Sequence, residues 1–102
     1  MREIDLTPRA REDILDIATY TLRMWGEDRM SRYIDGLNLR FLDLAEAPKL
    51  YPRRNDAGQR VRSARYGAHV IFFRITVSGI RVVRILHSKQ DHMRHLHNED
   101  AE

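Results

Sequence analysis

The sequence predicts an α+β fold in which an antiparallel helix hairpin packs on a small, mainly antiparallel sheet. The first half of the chain carries two amphipathic segments with apolar residues at helical spacing, separated by Gly26. The second half carries runs of β-branched and aromatic residues around a turn signal at Ser78–Gly79. The length of 102 residues suits one domain, which we predict over residues 1–97, followed by an acidic, frayed tail at 98–102.

A short strand is predicted at the start of the chain. Residues 2–6 alternate polar and apolar side chains, which turns Ile4 and Leu6 toward the interior. Thr7 then provides an N-cap, and Pro8 occupies the first helical position, where its missing N–H has no cost. A helix therefore begins here.

The first predicted helix covers residues 8–25 and ends at Gly26. Apolar residues at three- and four-residue spacing predict one stripe that faces the core. This stripe consists of Leu15, Ala18, Leu22 and Trp25, widened by Ile14 and Ile17. Glu12 and Asp13 lie near the helix start, where the helix dipole favours negative charge.

The second predicted helix begins at Glu27 and Asp28 and ends before Pro48. Its apolar face carries Met30, Tyr33, Ile34, Leu37, Phe41 and Leu44. Because one sheet can bury only one side of such a hairpin, a hydrophobic groove should remain for an amphipathic partner helix. The residues assigned to this core and groove, rather than to stacking on bases, are Trp25, Tyr33, Leu37, Phe41 and Leu44.

Three strands are predicted to form most of the sheet after an exposed loop at 49–59. They cover residues 60–64, 68–76 and 80–87. The strand at 68–76 is apolar on both faces, as expected of a central strand. Gly79 is expected at the hairpin turn because glycine tolerates a positive φ. One helical turn is predicted at 90–97.

Composition restricts the class of protein. The chain has no cysteine, which excludes disulfides and thiol-based metal or redox sites. Glu3 and Asp5 stand where a secretory signal needs an apolar run, and no stretch approaches the length of a membrane span. We therefore expect a soluble cytoplasmic protein.

Positive charge is concentrated late in the chain. Residues 1–52 hold 8 Lys or Arg and 10 Asp or Glu, whereas residues 53–94 hold 10 and 2. Such a segment attracts nucleic acid, a machine bound to nucleic acid, or an acidic protein segment. The alternative is a solvated surface without a partner.

Two sets of residues match a known pattern. The helices contribute Ala10, Ile14, Tyr20, Trp25-Gly26, Tyr33, Leu37, Phe41, Leu44 and Pro48. The later stretch contributes Arg62-Ser63, the run from His69 to Arg74, Ile80, the run from Arg84 to His87, and Asp91. In order and spacing these residues resemble the ParE-type toxins of the ParE/RelE superfamily, over nearly the whole chain.

The resemblance implies the toxic component of a type II toxin–antitoxin system, held inactive by an antitoxin whose tail lies across the hairpin and the sheet. ParE-type toxins with an assigned target trap DNA gyrase on cleaved DNA and block replication. The resemblance therefore implies that the protein has no catalytic activity and no cofactor. It also implies that the toxin reaches DNA only as part of a complex with its antitoxin. The expected contacts to the target or antitoxin are Arg62, Arg74, Arg81, Arg84, His87 and Asp91.

The alternative is a ribosome-dependent endoribonuclease, because RelE-type relatives cut messenger RNA on the ribosome. RNA cleavage needs a general acid and cations around the phosphate, and the candidates are Arg62, Arg84 and His87. After the last strand, however, the chain has no Tyr, and its only Lys is Lys89. We therefore favour a toxin that binds gyrase without chemistry of its own.

The histidines also have structural interpretations. His87 is expected to close the last strand with a hydrogen bond to the backbone or to Asp91, and His69 to be a half-buried, hydrogen-bonded residue. No metal site is predicted from His92, His95 and His97, because a structural zinc usually takes four ligands and the chain has no cysteine to complete the set.

Overall fold

The computed structural model describes residues 2–54, 60–90 and 96. Its elements are β1 (Glu3–Leu6), α1 (Pro8–Trp25), α2 (Glu27–Glu46), a 3-10 turn (Pro48–Leu50), β2 (Arg62–Tyr66), β3 (His69–Ile75) and β4 (Gly79–His87). The predicted α+β order is confirmed, although β2 begins two residues later than predicted. The predicted tail at 98–102, and the predicted turn at 90–97 apart from Gln90 and Leu96, lie outside the described residues.

The four strands form one sheet in the order β1-β4-β3-β2. Strands β2, β3 and β4 pair antiparallel, and β1 pairs parallel with β4, which confirms a mainly antiparallel sheet. The central position of β3 is also confirmed, since four successive residues from Val70 to Phe73 are buried. The hairpin helices cover one face of this sheet.

Gly79 is needed for a different reason from the one predicted. Among the described residues, positive φ is found at Gly26, Gly67 and Arg60, and not at Gly79. A Cβ at Gly79 would instead overlap the backbone of Glu3, which is its partner in the parallel pair. Glycine therefore allows β1 to approach β4 closely, and the Glu3 N–H donates to the Ser78 carbonyl at 2.9 Å.

The start and end of α1 confirm the predicted capping. The Thr7 hydroxyl oxygen accepts from the Ala10 N–H at 3.0 Å and its proton is donated to the Val83 carbonyl at 2.7 Å. Gly26, at φ 93°, separates α1 from α2. One threonine side chain thus caps the helix and attaches it to β4.

The predicted core-facing stripe of α1 is wrong for Leu15, Leu22 and Trp25, whereas Ile14 and Ile17, predicted to widen it, do pack in the core. Leu15, Leu22 and Trp25 are 66%, 45% and 58% exposed. The buried residues of α1 are Ala10, Asp13, Ile17 and Thr21. The helix has two stripes at similar spacing, and the buried one contains the carboxylate that pairs with an arginine of the sheet, so the helix turns its more apolar stripe to solvent.

The predicted face of α2 is largely confirmed. Leu37, Phe41 and Leu44 are buried in the core between the hairpin and the sheet, and Tyr33 is half-buried at its border. On the outer side of α2, Leu39 and Leu42 are 63% and 56% exposed. Both helices therefore present apolar side chains away from the sheet.

A second apolar cluster covers the reverse face of the sheet. It contains Val61, Val70, Phe72, Val83, Leu86 and Leu96. Leu96 is 0% exposed, so a residue beyond the last strand contributes to this face. No helix within the described part of the chain has the length and hydropathy of a membrane span.

A β-bulge interrupts β4 at its centre. Phe72 pairs with Arg84 and Phe73 pairs with Val82, which leaves Val83 as an extra residue. The bulge breaks the alternation of side chains along β4. Its consequence is that Arg84 contacts α1, as described next.

Candidate functional site

A buried ion pair joins α1 to the bulge of β4. The Arg84 Nε and Nη2 atoms donate to the two Asp13 carboxylate oxygens at 2.8 and 2.9 Å. The Ile85 N–H donates to the same carboxylate at 2.9 Å. The side chains are only 6% and 10% exposed, so this pair is shielded from water and from screening by salt.

The geometry of the pair compensates the cost of burying two charges. A two-pronged arginine–carboxylate contact is among the strong hydrogen-bonded pairs, and the Ile85 N–H adds a third donor to Asp13. Losing one partner would leave an isolated buried charge, which typically destabilises a protein by about 3–5 kcal/mol. The pair therefore holds α1 in one rotational setting on the sheet.

An open cleft of about 600 Å³ lies beside this pair, between the helix hairpin and the ends of β3 and β4. Asp13, Ile17, Thr21 and Ile85 are among its buried residues. The other lining residues are Asp16, Tyr20, Trp25, Arg29, Tyr33, Ala68, His69, Arg84, His87 and Gln90. The arginine that pairs with Asp13 thus lies beside two imidazoles.

Tyr33, His69 and His87 form a connected set in the cleft. The Tyr33 hydroxyl lies 2.7 Å from His69 Nδ1 and 3.2 Å from the Tyr66 carbonyl oxygen. One arrangement satisfies all three groups, in which His69 Nδ1–H donates to Tyr33 and Tyr33 donates to Tyr66. The rings of His69 and His87 meet edge to face at 5.6 Å.

The pKa values in this set follow from burial. Burial lowers the pKa of His69 below its usual 6.5, the nearby His87 lowers it further, and the Asp13 carboxylate raises it. Burial raises the pKa of the Tyr33 hydroxyl above 10.0, the Ala68 backbone lowers it, and Tyr66 raises it. At neutral pH the set is therefore a neutral imidazole hydrogen-bonded to a neutral phenol.

Tyr33 and Tyr66 also bind α2 to the turn between β2 and β3. Each hydroxyl donates to the backbone carbonyl of the other residue, at 3.2 and 2.8 Å. A Cβ at Gly36 would collide with the Tyr66 hydroxyl, so glycine gives this ring its place against α2. These contacts make the wall of the cleft rigid.

The mouth of the cleft is aromatic and exposed. The Arg29 guanidinium lies 4.7 Å from the centre of the Trp25 ring, a cation–π contact. Trp25 was assigned to the core and groove, and the core assignment is wrong, because the ring is 58% exposed where it lines the cleft. Tyr20 is exposed on the same helix.

The predicted binding residues are divided among different parts of the sheet. Arg84 and His87 line the cleft, and Arg84 is buried against Asp13 rather than exposed. Arg81 forms a 2.8 Å ion pair with Asp5 and lies directly across from Arg74. Arg62 lies on β2, and Asp91 is outside the described residues. The predicted arginines therefore do not form one basic surface.

The three residues named for RNA cleavage are likewise not brought together. Arg62 does not line the cleft that holds Arg84 and His87, and its guanidinium donates to the Tyr51 carbonyl at 2.7 Å. The Lys89 N–H donates to His87 Nδ1 at 3.2 Å, which confirms the predicted backbone bond of His87. His69 is half-buried and hydrogen-bonded, as predicted. In the described part of the chain no three side chains group as a metal site, and His92, His95 and His97 lie outside that part.

The central residue of the site, Asp13, was missed by sequence reasoning. Its sequence position relative to Ile17 and Thr21 places it on one helical face with them, so a carboxylate within that face was the available signal. The Tyr33–His69 contact joins residues 36 positions apart, and no local pattern marks it.

Comparisons with known proteins agree on one family. Residues 4–92 match the model of a family described as the ParE toxin of the type II toxin–antitoxin system parDE. The toxin ParE1 of Caulobacter vibrioides is 29% identical over 96 residues, covering 94% of this chain and 99% of that protein. The toxin ParE1 of Mycobacterium tuberculosis is 30% identical over 92 residues, covering 89% and 94%.

A solved structure shares the fold. It is titled as a chromosomal ParDE TA system from P. aeruginosa, and it superposes with a TM-score of 0.72. The match covers 85% of this chain and 96% of that one, at 17% identity. At this identity the likeness concerns the fold.

Removing the carboxylate of the buried pair should destabilise the protein strongly. We expect Asp13→Leu to lower the free energy of unfolding by about 3–5 kcal/mol, because Arg84 is left buried without its counter-ion. The double variant Asp13→Leu/Arg84→Met should recover most of this loss. Urea denaturation measures both, with Asp16→Leu on the exposed side of α1 as the control. Equal stability of Asp13→Leu and the unchanged protein would contradict the role of the pair.

The stability of the protein should fall below neutral pH, in part through His69. Because its pKa in the folded state is lowered below 6.5, the unfolded chain takes up a proton first as the pH falls. Stability is therefore greatest above pH 6.5 and decreases through that value, by at most about 1.4 kcal/mol per pH unit for one proton. Urea midpoints between pH 5 and pH 8 should show a smaller dependence for His69→Gln. An unchanged dependence would refute the assignment.

Proposed function

This chain belongs to the ParE toxin family of type II toxin–antitoxin systems, and on that premise we propose that it inhibits DNA gyrase and is neutralised by a cognate antitoxin. Gyrase inhibition blocks replication, so the growth arrest would follow from binding rather than from chemistry. The proposed setting is the cytoplasm, where gyrase and DNA are found. No cofactor takes part in this proposal.

The observation that carries the proposal is that Arg84 is held in a buried ion pair with Asp13. An endoribonuclease on this fold needs exposed cations around the scissile phosphate, together with an acid or base. Here Asp13 holds the Arg84 guanidinium in a buried ion pair, and Arg62 lies away from the cleft. The arrangement therefore supports a binding protein over a nuclease.

The surface of the hairpin supports an antitoxin partner. Leu15 and Leu22 on α1 and Leu39 and Leu42 on α2 are all exposed. Apolar side chains at helical spacing on two neighbouring helices suit the apolar face of an amphipathic partner helix. The solved structure with the same fold is titled as a toxin–antitoxin system, which supports the same partner.

A second candidate is a ribosome-dependent endoribonuclease. It is favoured by Tyr33, His69 and His87 in one cleft, since a neutral imidazole and a second imidazole provide a base and an acid. In this case His69 would act with His87, although the sequence had indicated Arg62 and Arg84 beside His87. We rank it second because few cations lie near these groups, and one of them, Arg84, is held in a buried ion pair with Asp13.

Purified protein should trap gyrase on cleaved DNA. We expect linear plasmid to accumulate and supercoiling to stop when toxin, gyrase and ATP are combined, while a reconstituted translation reaction continues unaffected. Translation blocked with gyrase unaffected would reject the gyrase proposal. The nuclease would then be tested with His69→Gln and His87→Gln, which should abolish messenger RNA cleavage.

Polar substitutions on the outer stripe of α1 should weaken antitoxin binding. We expect Leu15→Ser/Leu22→Ser to raise the Kd for the cognate antitoxin more than tenfold, because each buried leucine contributes about 1.5–3 kcal/mol. Calorimetric titration measures the constant. Leu50→Ser is the control, since Leu50 is 81% exposed and lies off the hairpin. Equal loss in both variants would show that the stripe has no special role.

A further inference from the structure

The edge of the sheet along β2 is strongly basic. Between positions 49 and 65 the sequence contains six cationic residues and a single acid, Asp56. The cations are Lys49, Arg53, Arg54, Arg60, Arg62 and Arg65. Lys49, Arg53, Arg60 and Arg65 are exposed, and Arg62 is half-exposed. This set of cations on and beside β2 is called the basic edge below.

The backbone at this edge is held by hydrogen bonds. Arg53 forms an isolated antiparallel bridge with Arg62, and the Arg54 N–H donates to the Val61 carbonyl at 2.7 Å. The Ser63 N–H donates to the Pro52 carbonyl at 3.2 Å. Residues 52–54 thus run beside β2 as a short added strand. Arg53, Arg62 and Arg65 project from paired backbone, which limits the backbone entropy lost when they bind a ligand.

Among the residues that the structure describes, four arginines of the basic edge form no ion pair with a carboxylate. These four are Arg53, Arg60, Arg62 and Arg65. Strand β4 differs, because Arg81 and Arg84 pair with Asp5 and Asp13. Like charges gathered on one strand repel each other. A polyanion lying along the edge would relieve this repulsion.

The chemistry of the edge favours duplex over single-stranded nucleic acid. Single strands bind where exposed aromatic rings stack on bases. At this edge Tyr51 packs edge to face on Phe73, and the Tyr66 hydroxyl is bonded to the Tyr33 carbonyl. The exposed Trp25 ring lies at the mouth of the cleft, and none of the cations of the basic edge lines that cleft. Arginines without stacking rings contact phosphates and read no bases.

We propose that the basic edge binds the phosphate backbone of duplex DNA next to the site where gyrase cleaves it. The setting rests on the proposed function, whereas the DNA contact is a property of the edge itself. The proposal goes beyond the expectation that DNA is reached only through the antitoxin complex. It gives the toxin two ligands in the trapped complex, the enzyme and the DNA that the enzyme holds.

A charge-matched pair of variants tests the proposal. The edge variant is Arg53→Ser/Arg60→Ser/Arg65→Ser, and the control is Arg11→Ser/Arg23→Ser/Arg32→Ser on the helices, which removes equal charge. Fluorescence anisotropy with a labelled 20-base-pair duplex gives Kd between 50 and 200 mM salt. If Arg53, Arg60, Arg62 and Arg65 each contact one phosphate, the plot of log K against log salt should have a slope of about −3.6. The edge variant should bind at least about tenfold more weakly, with a slope shallower by nearly three.

Three results would overturn the proposal. Equal loss in both variants would mean that net charge alone attracts DNA. Tighter binding of a single-stranded 20-mer than of the duplex would mean that the nucleic-acid class is wrong. Unchanged duplex binding by a soluble, folded edge variant would mean that these arginines do not contact DNA. Thermal melting of both variants shows whether each is folded.

The gyrase assay separates this proposal from the proposed function. If the unchanged toxin traps gyrase on DNA and the edge variant traps it equally well, the proposed function stands and a DNA contact within the trapped complex is rejected. If the toxin binds duplex through the edge but leaves gyrase unaffected, the DNA contact stands and the gyrase proposal is rejected. If the edge variant loses trapping while the unchanged toxin and the control variant keep it, the gyrase proposal and the DNA contact are both supported.

Discussion

The ion pair between Asp13 and Arg84 determines how the hairpin sits on the sheet. A buried guanidinium requires a carboxylate at hydrogen-bond distance, and α1 provides one from a single rotational setting. That setting buries Ile17 and leaves Leu15 and Leu22 in solvent. The same pair closes the inner side of the cleft with no net charge. The exposed apolar stripe of α1 and the cleft are therefore two consequences of one contact.

Local signals predicted most of the elements but not the face that α1 buries. Capping by Thr7 and the stop at Gly26 act within a few residues, so the sequence shows both ends of the helix. The choice between its two stripes depends on Arg84, 71 residues away, and on a bulge that turns this arginine toward the helix. Of the residues that the sequence named together, Arg84 and His87 line the cleft and Arg62 does not. Tyr33 and His69 meet only through the packing of α2 on β3.

The arginines of the sheet have three distinct roles, although they look alike in the sequence. The bulge makes Arg84 part of the interior, and parallel pairing with β1 brings Asp5 to Arg81. In the described part of the chain no carboxylate pairs with Arg62 or Arg65 on β2, so their charge is left for a partner. The order of the strands therefore decides which arginines are available to a partner. Composition alone would count the paired arginines of β4 as available and would not single out those of β2.

The parallel pairing of the first strand with the last has a consequence for biosynthesis. Glu3 pairs with Gly79, so the two ends of the domain must both exist before the sheet can close. The helix hairpin depends on contacts between neighbours in the chain and forms sooner than such long-range pairings. While the ribosome is still making β4, the leucines of the hairpin are already exposed. An antitoxin helix present at that moment would meet a nascent toxin whose sheet is still open.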